Sequence, residues 1–282
     1  MCSMNRLSRA ERAEIIRLLV EGNSLRSVTR ITGRSINTVS KLLVDLGVAC
    51  AAYQDETMRN LSCEFVECDE IWSFCYSKAK NVPAEKQGQF GFGDVWTFTA
   101  IDAKTKLMPA FMVGDRTPAT ARLFMDDLAS RMAHRVQLST DGHKMYLKAV
   151  ADAFGDDIDF GQMVKLYGNP HDQFGRSTGT TEVIGFERKI ITGEPVESKI
   201  STSYVERANL TMRMGMRRCT RLSNGFSKKV ENHFAAIALH FFFYNFGRAH
   251  KSLANPYPRT PAMAAGIADH VWTCEEIASL LD

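Results

Sequence analysis

The sequence contains no C-x-x-C pair, no apolar run long enough to span a bilayer, and little net charge. Each absence removes a class of function. Its seven cysteines, Cys2, Cys50, Cys63, Cys68, Cys75, Cys219 and Cys274, are odd in number and scattered, which predicts reduced, mostly buried thiols rather than a disulfide frame or a zinc site. The most apolar stretch, Phe234 to Phe243, is interrupted by His240 and falls well short of the ~20 residues a membrane span needs. The opening residues MCSMNRLSRAERAE hold no apolar h-region, so the expectation is a cytoplasmic protein with no membrane partner. A net charge of +3 over 282 residues barely favours a polyanion in bulk, so the placement of charge matters more than its sum. Internal repeats and low-complexity tracts are also missing. With 45% hydrophobic and 24% charged residues, the chain has room for a sizeable core and small flanking domains.

Basic residues cluster first near the N-terminus. Ser8-x-x-Glu11 predicts a capped helix running to about Val20, Ser24 starts a short second helix, and Ser35 opens a third with Ile36, Val39, Leu43 and Leu46 on one face. Two short helices across the Gly-containing turn TGRS form a helix-turn-helix pattern. Its last helix presents Arg34, Asn37, Thr38 and Lys41 outward, residue types that reach phosphates and base edges of double-stranded DNA. The segment 51–60 lacks sustained periodicity and is expected as a linker between a helix-turn-helix domain over 1–50 and a core over 61–230.

Past the linker the composition changes. CEFVECDEIWSFCY predicts a strand, VWTFTAID-AKTK-LMPAFMVG a hairpin, and then follow a helix from Pro118, the strand RVQLSTD, a helix from about Lys144 and the strand QMVKLYG. This order predicts an α/β core, a mixed sheet flanked by helices. A Gly/Thr/Ser-rich stretch between Gly168 and Ser203 is expected as a long functional loop. Residues 231–282 are expected to form a helical C-terminal extension beginning with a nearly all-apolar helix.

Three acids stand where such a core would unite them: Asp69 in the first strand, Asp141 at the end of LSTD, and Glu206 on the helix after the long loop. Clustered carboxylates need cations to stay ionised, and hard oxygen ligands suit Mg²⁺ or Mn²⁺. Two such ions would suit displacement at phosphorus. Alternation along a strand predicts that only one of Asp69 and Glu70 faces this site. Structural roles compete for each acid: an Asp-Gly turn at Asp141, and a capping box Ser203-x-x-Glu206. On a helical wheel Val205, Ala208, Met212, Met216 and Cys219 form one apolar stripe, while Arg213, Arg217 and Arg221 share a face with Glu206. With Arg207 they make a basic surface next to a carboxylate, which suits a site that holds cations and a polyanion together.

CDEIWSF, STDG with Tyr146 following, SYVERANLTMRMGMRRCTRLSNGFSKKVENH and YNFGRAHKSL resemble the bacterial insertion-sequence-one family of DDE transposases, over about Cys63 to Leu253. The resemblance implies an RNase H-like catalytic core with Asp69, Asp141 and Glu206 as the triad, a Mg²⁺ requirement, and cleavage and joining of DNA at terminal inverted repeats by a dimer or larger assembly. One departure is that members often carry a cysteine zinc motif ahead of the helix-turn-helix, and only Cys2 and Cys50 stand there. The rival reading is a regulatory or domesticated helix-turn-helix protein that binds DNA without cutting it.

Overall fold

The computed structural model describes residues 6–168, 182–220 and 225–282. Three helices come first, each opened by a serine. Ser8 and Glu11 form a reciprocal capping box on α1 (Arg9–Val20), Ser24 caps α2 (Leu25–Thr32), and Ser35 caps α3 (Ile36–Thr57). Between α2 and α3, Gly33 takes a left-handed φ of 68° that a side chain would disfavour, and so makes the turn. The expected linker is largely helix: α3 continues unbroken to Thr57. Its inward row runs through Leu43, Leu46, Cys50 and Gln54, and the buried polar Gln54 hides that periodicity from the sequence. Gln54 is held by the Ala238 carbonyl and by Asn245, so its burial leaves no amide stranded.

The core is one six-stranded sheet in the order β3-β2-β1-β4-β5-β6. Its strands are β1 (Phe65–Cys75), β2 (Gly93–Asp102), β3 (Phe111–Gly114), β4 (Gln137–Asp141), β5 (Asp159–Gly168) and β6 (Glu182–Thr192). β1, β2 and β3 form an antiparallel meander, β4 and β5 add in parallel to β1, and β6 returns antiparallel. This is an RNase H-like mixed α/β sheet. β6 lies inside the stretch expected as one long loop; residues 169–181 of that stretch lie outside the described residues. Its EVIGFERKIIT carries apolar side chains on both faces, and most are exposed, so no half-buried alternation marks it as a strand.

Two apolar clusters sandwich the sheet. On one face Val66, Cys68 and Phe98 pack with Phe124 of α4 (Pro118–Arg131) and Tyr146 of α5 (Met145–Phe154). On the other, Ile71 and Ile101 pack with Val205, Ala208 and Met212 of α6 (Ser203–Gly215) and with Ile237 and Phe241 of α7 (Val230–Phe242). The five-residue apolar stripe read from sequence is buried throughout, although α6 stops at Gly215 and Arg217–Cys219 forms a separate 3-10 turn.

The N-terminal helices share the main core with the sheet rather than standing apart from it. Gly47 of α3 lies so close to α7 that a Cβ there would fall 2.4 Å from the Cα of Ala235. The C-terminal extension carries α8 (Pro261–Ala264) and α9 (Cys274–Ser279), and α9 packs on α1, where Arg9 and Arg12 pair with Asp282 and Arg17 with Glu275. Among the described residues α3 is the one helix long and apolar enough to cross a membrane, by length and composition alone; here its apolar row packs into the core.

Candidate active site

β1 and β4 run side by side in parallel, and their pairing ends at Cys68 and Thr140. The next residues are Asp69, midway along β1, and Asp141, the last of β4, so two carboxylates emerge together where the parallel pairing stops. Asp69, Glu70 and Asp141 each offer an oxygen, and these oxygens all lie within 4.8 Å of one another. The expected alternation holds, with Asp69 turned toward α6 and Glu70 away from it, but it does not keep a Glu70 oxygen out of the cluster. Glu70 points to the α4/α5 face, yet β4 has already ended beside it, so no neighbouring strand separates the two faces there. Its side chain is 1% exposed and both oxygens are engaged: Arg116 Nε donates to Oε1 at 2.8 Å and the Tyr146 hydroxyl to Oε2 at 3.0 Å.

Burial, reinforced by the charges of Glu70 and Asp141, pushes the Asp69 carboxyl up to about 7. The Glu70 backbone amide and the Asn209 side chain pull the other way. Asn209 Nδ2 donates to Asp69 Oδ2 at 3.0 Å, and the Thr99 hydroxyl donates to Asn209 Oδ1 at 3.1 Å, which fixes the amide with its donor end toward the acid. A second clip lies one turn earlier on α6. Buried Glu67 accepts the backbone N–H groups of Tyr204 at 2.7 Å and Val205 at 3.0 Å, both through Oε2. Burial raises the Glu67 carboxyl above its ordinary value.

These two contacts set α6 across β1 and put Glu206 beside the site, but outside the trio. Its Oε1 takes the Lys165 ammonium at 2.8 Å and the Thr202 hydroxyl at 3.0 Å. The capping-box alternative for Glu206 is absent: Thr202, not Ser203, is the N-cap, it makes no side-chain cap bond, and Glu67 satisfies the terminal amides instead. Lys165 on β5 is held protonated by Glu206 first, with Asp69 adding to the effect. Glu67, Lys165, Asn209 and Arg116 were not singled out from the sequence. The one legible signal was the spacing of Glu67 and Asp69, two apart on a strand and so on one face.

The arginines are less aligned than the wheel suggested. Arg207 is exposed on α6 and Arg213 lies in its last turn, but the helix ends before Arg217, which sits in the 3-10 turn. Arg221 lies outside the described residues. Around α3, Asn37 is exposed and Thr38 half-buried; Arg34 pairs with Glu11 and Lys41 with Asp45. Of the residues weighed as weaker candidates, Asp102 accepts the amide and hydroxyl of Thr105 in its turn, and Asn245 is fully buried, bridging both backbone groups of Met108. Both are structural.

No protein-family model matches the chain, and no curated protein matches it. Solved structures that resemble it include a piggyBac transposase synaptic complex with hairpin DNA, at 11% identity and a TM-score of 0.41, over 97% of this chain and 69% of that one. The Mos1 transposase paired-end complex with the left transposon end aligns at 14% identity and a TM-score of 0.24, over 57% of this chain and 60% of that one. The Mos1 strand transfer complex aligns at 13% identity and a TM-score of 0.25, over 86% of this chain and 77% of that one. At TM-scores below 0.5 these likenesses carry over no residue roles, and the site rests on its own geometry.

Proposed function

We propose that this chain is a DNA transposase of the DDE type, similar to the insertion-sequence-one family, with Asp69, Asp141 and Glu206 as its carboxylate triad. The observation that carries this reading is the meeting of Asp69 and Asp141 where the parallel pairing of β1 and β4 stops, within 4.8 Å through their oxygens and alongside α6. The donor set fits a hard divalent cation: the clustered groups are carboxylates with no thiol or imidazole among them, drawn within 4.8 Å of one another. Asp69 and Asp141 would hold the ions, with Glu206 completing the set. Bound there, two Mg²⁺ or Mn²⁺ ions would acidify an attacking hydroxyl and neutralise charge on the leaving oxygen.

The chain's own residues account for the rest. Asn209 and Thr99 keep one Asp69 oxygen turned toward α6, leaving the other for the site. Lys165 balances Glu206 and puts positive charge on the side where a phosphate would enter. Arg207, Arg213 and Arg217 extend that charge along the path of the strand. The helix-turn-helix of α2 and α3, with Arg34, Asn37, Thr38 and Lys41, would bind the element's terminal inverted repeats, two or more copies acting on paired ends.

The test is direct. Purified protein is incubated with Mg²⁺ and the end sequences of the DNA element that encodes it. Strand nicks exposing 3′-OH ends, followed by joined products, are expected, and Asp69→Asn or Asp141→Asn should abolish both. End binding with no cleavage under any divalent metal would favour a regulatory DNA-binding protein instead.

A further inference from the structure

Arg116 stands in the short connection between β3 and α4, and its geometry is unusual for a charge that merely balances a buried acid. A guanidinium satisfying a carboxylate commonly does so with two nitrogens at once. Here Arg116 gives Glu70 only its Nε, at 2.8 Å, while the guanidinium carbon sits 4.6 Å from the centroid of the Trp96 ring. Among the described residues no hydrogen bond or ion pair occupies Nη1 or Nη2. The side chain is 34% exposed and its partner 1%. One edge of the guanidinium is thus fixed by a buried carboxylate, one face is covered by an indole, and the outer edge is held open to solvent.

That open edge adjoins the acids. Glu70, to which Arg116 is bonded, has an oxygen within 4.8 Å of oxygens of both Asp69 and Asp141. A DNA strand brought to those two carboxylates would be repelled by three acids at close range, and the nearest cation bonded to the cluster on the Glu70 side is Arg116. The two Nη groups match the spacing of two phosphate oxygens, and their pre-set orientation lowers the entropy lost on binding.

We propose that Arg116 is a phosphate-binding residue of this site, and that Glu70 and Trp96 are positioning residues that aim its outer edge at the backbone of the bound strand. Glu70 is then an orienting acid and not a metal ligand, because both of its oxygens are already committed, to Arg116 and to Tyr146. The inference rests on the DNA-cleaving reading of Asp69 and Asp141, but the salt-dependence arm of its test does not depend on cleavage.

Duplex DNA affinity is measured against salt in Ca²⁺ for the parent, Arg116→Ala, Arg116→Lys and Glu70→Gln, with circular dichroism to verify folding. Loss of one phosphate contact should flatten the slope of log K against log salt by about 0.9 for Arg116→Ala. Arg116→Lys, which still balances Glu70 and guards against a misfolded Ala variant, should keep the slope but lose at least tenfold in cleavage rate with Mg²⁺. Glu70→Gln should lower cleavage without moving the half-saturating Mg²⁺, and combining it with Arg116→Ala should cost no more than Arg116→Ala alone. An unchanged salt slope in folded Arg116→Ala, or a several-fold higher Mg²⁺ requirement in Glu70→Gln, overturns the proposal. A parent that binds DNA yet cleaves none sinks the transposase reading, while the salt slope still decides the role of Arg116.

Discussion

Glu67 on β1 accepts the backbone N–H groups of both Tyr204 and Val205, at 2.7 and 3.0 Å, so a buried acid on the central strand caps the helix that bears Glu206. The positive end of α6 offsets part of the cost of burying that charge. Glu67 sits two residues before Asp69 on the same face, so one strand both supplies an acid to the site and sets the helix across it.

Glu67→Ala should therefore destabilise the fold by about 1–3 kcal/mol, since one buried and one part-buried amide lose their acceptor. Glu67→Gln keeps an acceptor oxygen and should lose less. Urea denaturation measures the difference, and equal stability of Glu67→Ala and parent would show that the α6 terminus is satisfied in another way.

The Lys165–Glu206 pair is a third or more exposed on both sides, which limits its worth to stability to about 0–1 kcal/mol. Glu206→Gln should keep its melting temperature within a few degrees and still bind DNA, while cleavage and joining fall by orders of magnitude. Cleavage at the parental rate would remove Glu206 from the triad.

Gly47 is where α3 and α7 come closest. A Cβ there would meet the backbone of Ala235 at 2.4 Å, a contact that no rotamer can relieve. Gly47→Ala should cost about 1–3 kcal/mol by overpacking, despite alanine's better helix propensity. A stabilised variant in thermal denaturation would mean that the helices separate without loss.

End recognition should depend on the outer face of α3. Replacing Asn37, Thr38 and Lys41 together by Ala should weaken binding to element ends and leave the fold intact, since none of the three is buried. An unaltered footprint on those ends would place recognition on another surface.

His233 is buried between the hydroxyls of Ser73 and Ser227, and burial lowers its imidazole from 6.5 to about 4. The unfolded chain takes up this proton first, so His233 contributes stability that is complete above pH ~6.5 and is lost as pH falls toward 4. Between those values His233→Gln should show a shallower loss, by up to about 1.4 kcal/mol per pH unit. Parallel pH profiles for the two proteins would show that the imidazole is protonated in the native state.

The sequence by itself determined what depends on near neighbours. Ser8, Ser24 and Ser35 mark three helix starts because a cap is a contact over three residues. Val205, Ala208, Met212, Met216 and Cys219 reveal a buried face because burial follows the local period, even where the helix tightens after Gly215. Asp69 and Asp141 could be paired in advance because one lies within and the other ends a recognisable stretch of strand. Only the tertiary structure decided which groups share the space around them. Glu70 joins the cluster because β4 stops at Asp141, a matter of relative strand length that no local pattern records. Glu67 becomes a helix cap, Arg116 is drawn to Glu70 and Glu206 to Lys165 because buried or crowded charges take whatever partner the packed chain brings within reach. Those partners lie tens of residues away or more, and their choice is made by the register of the sheet and the placement of α6 across it.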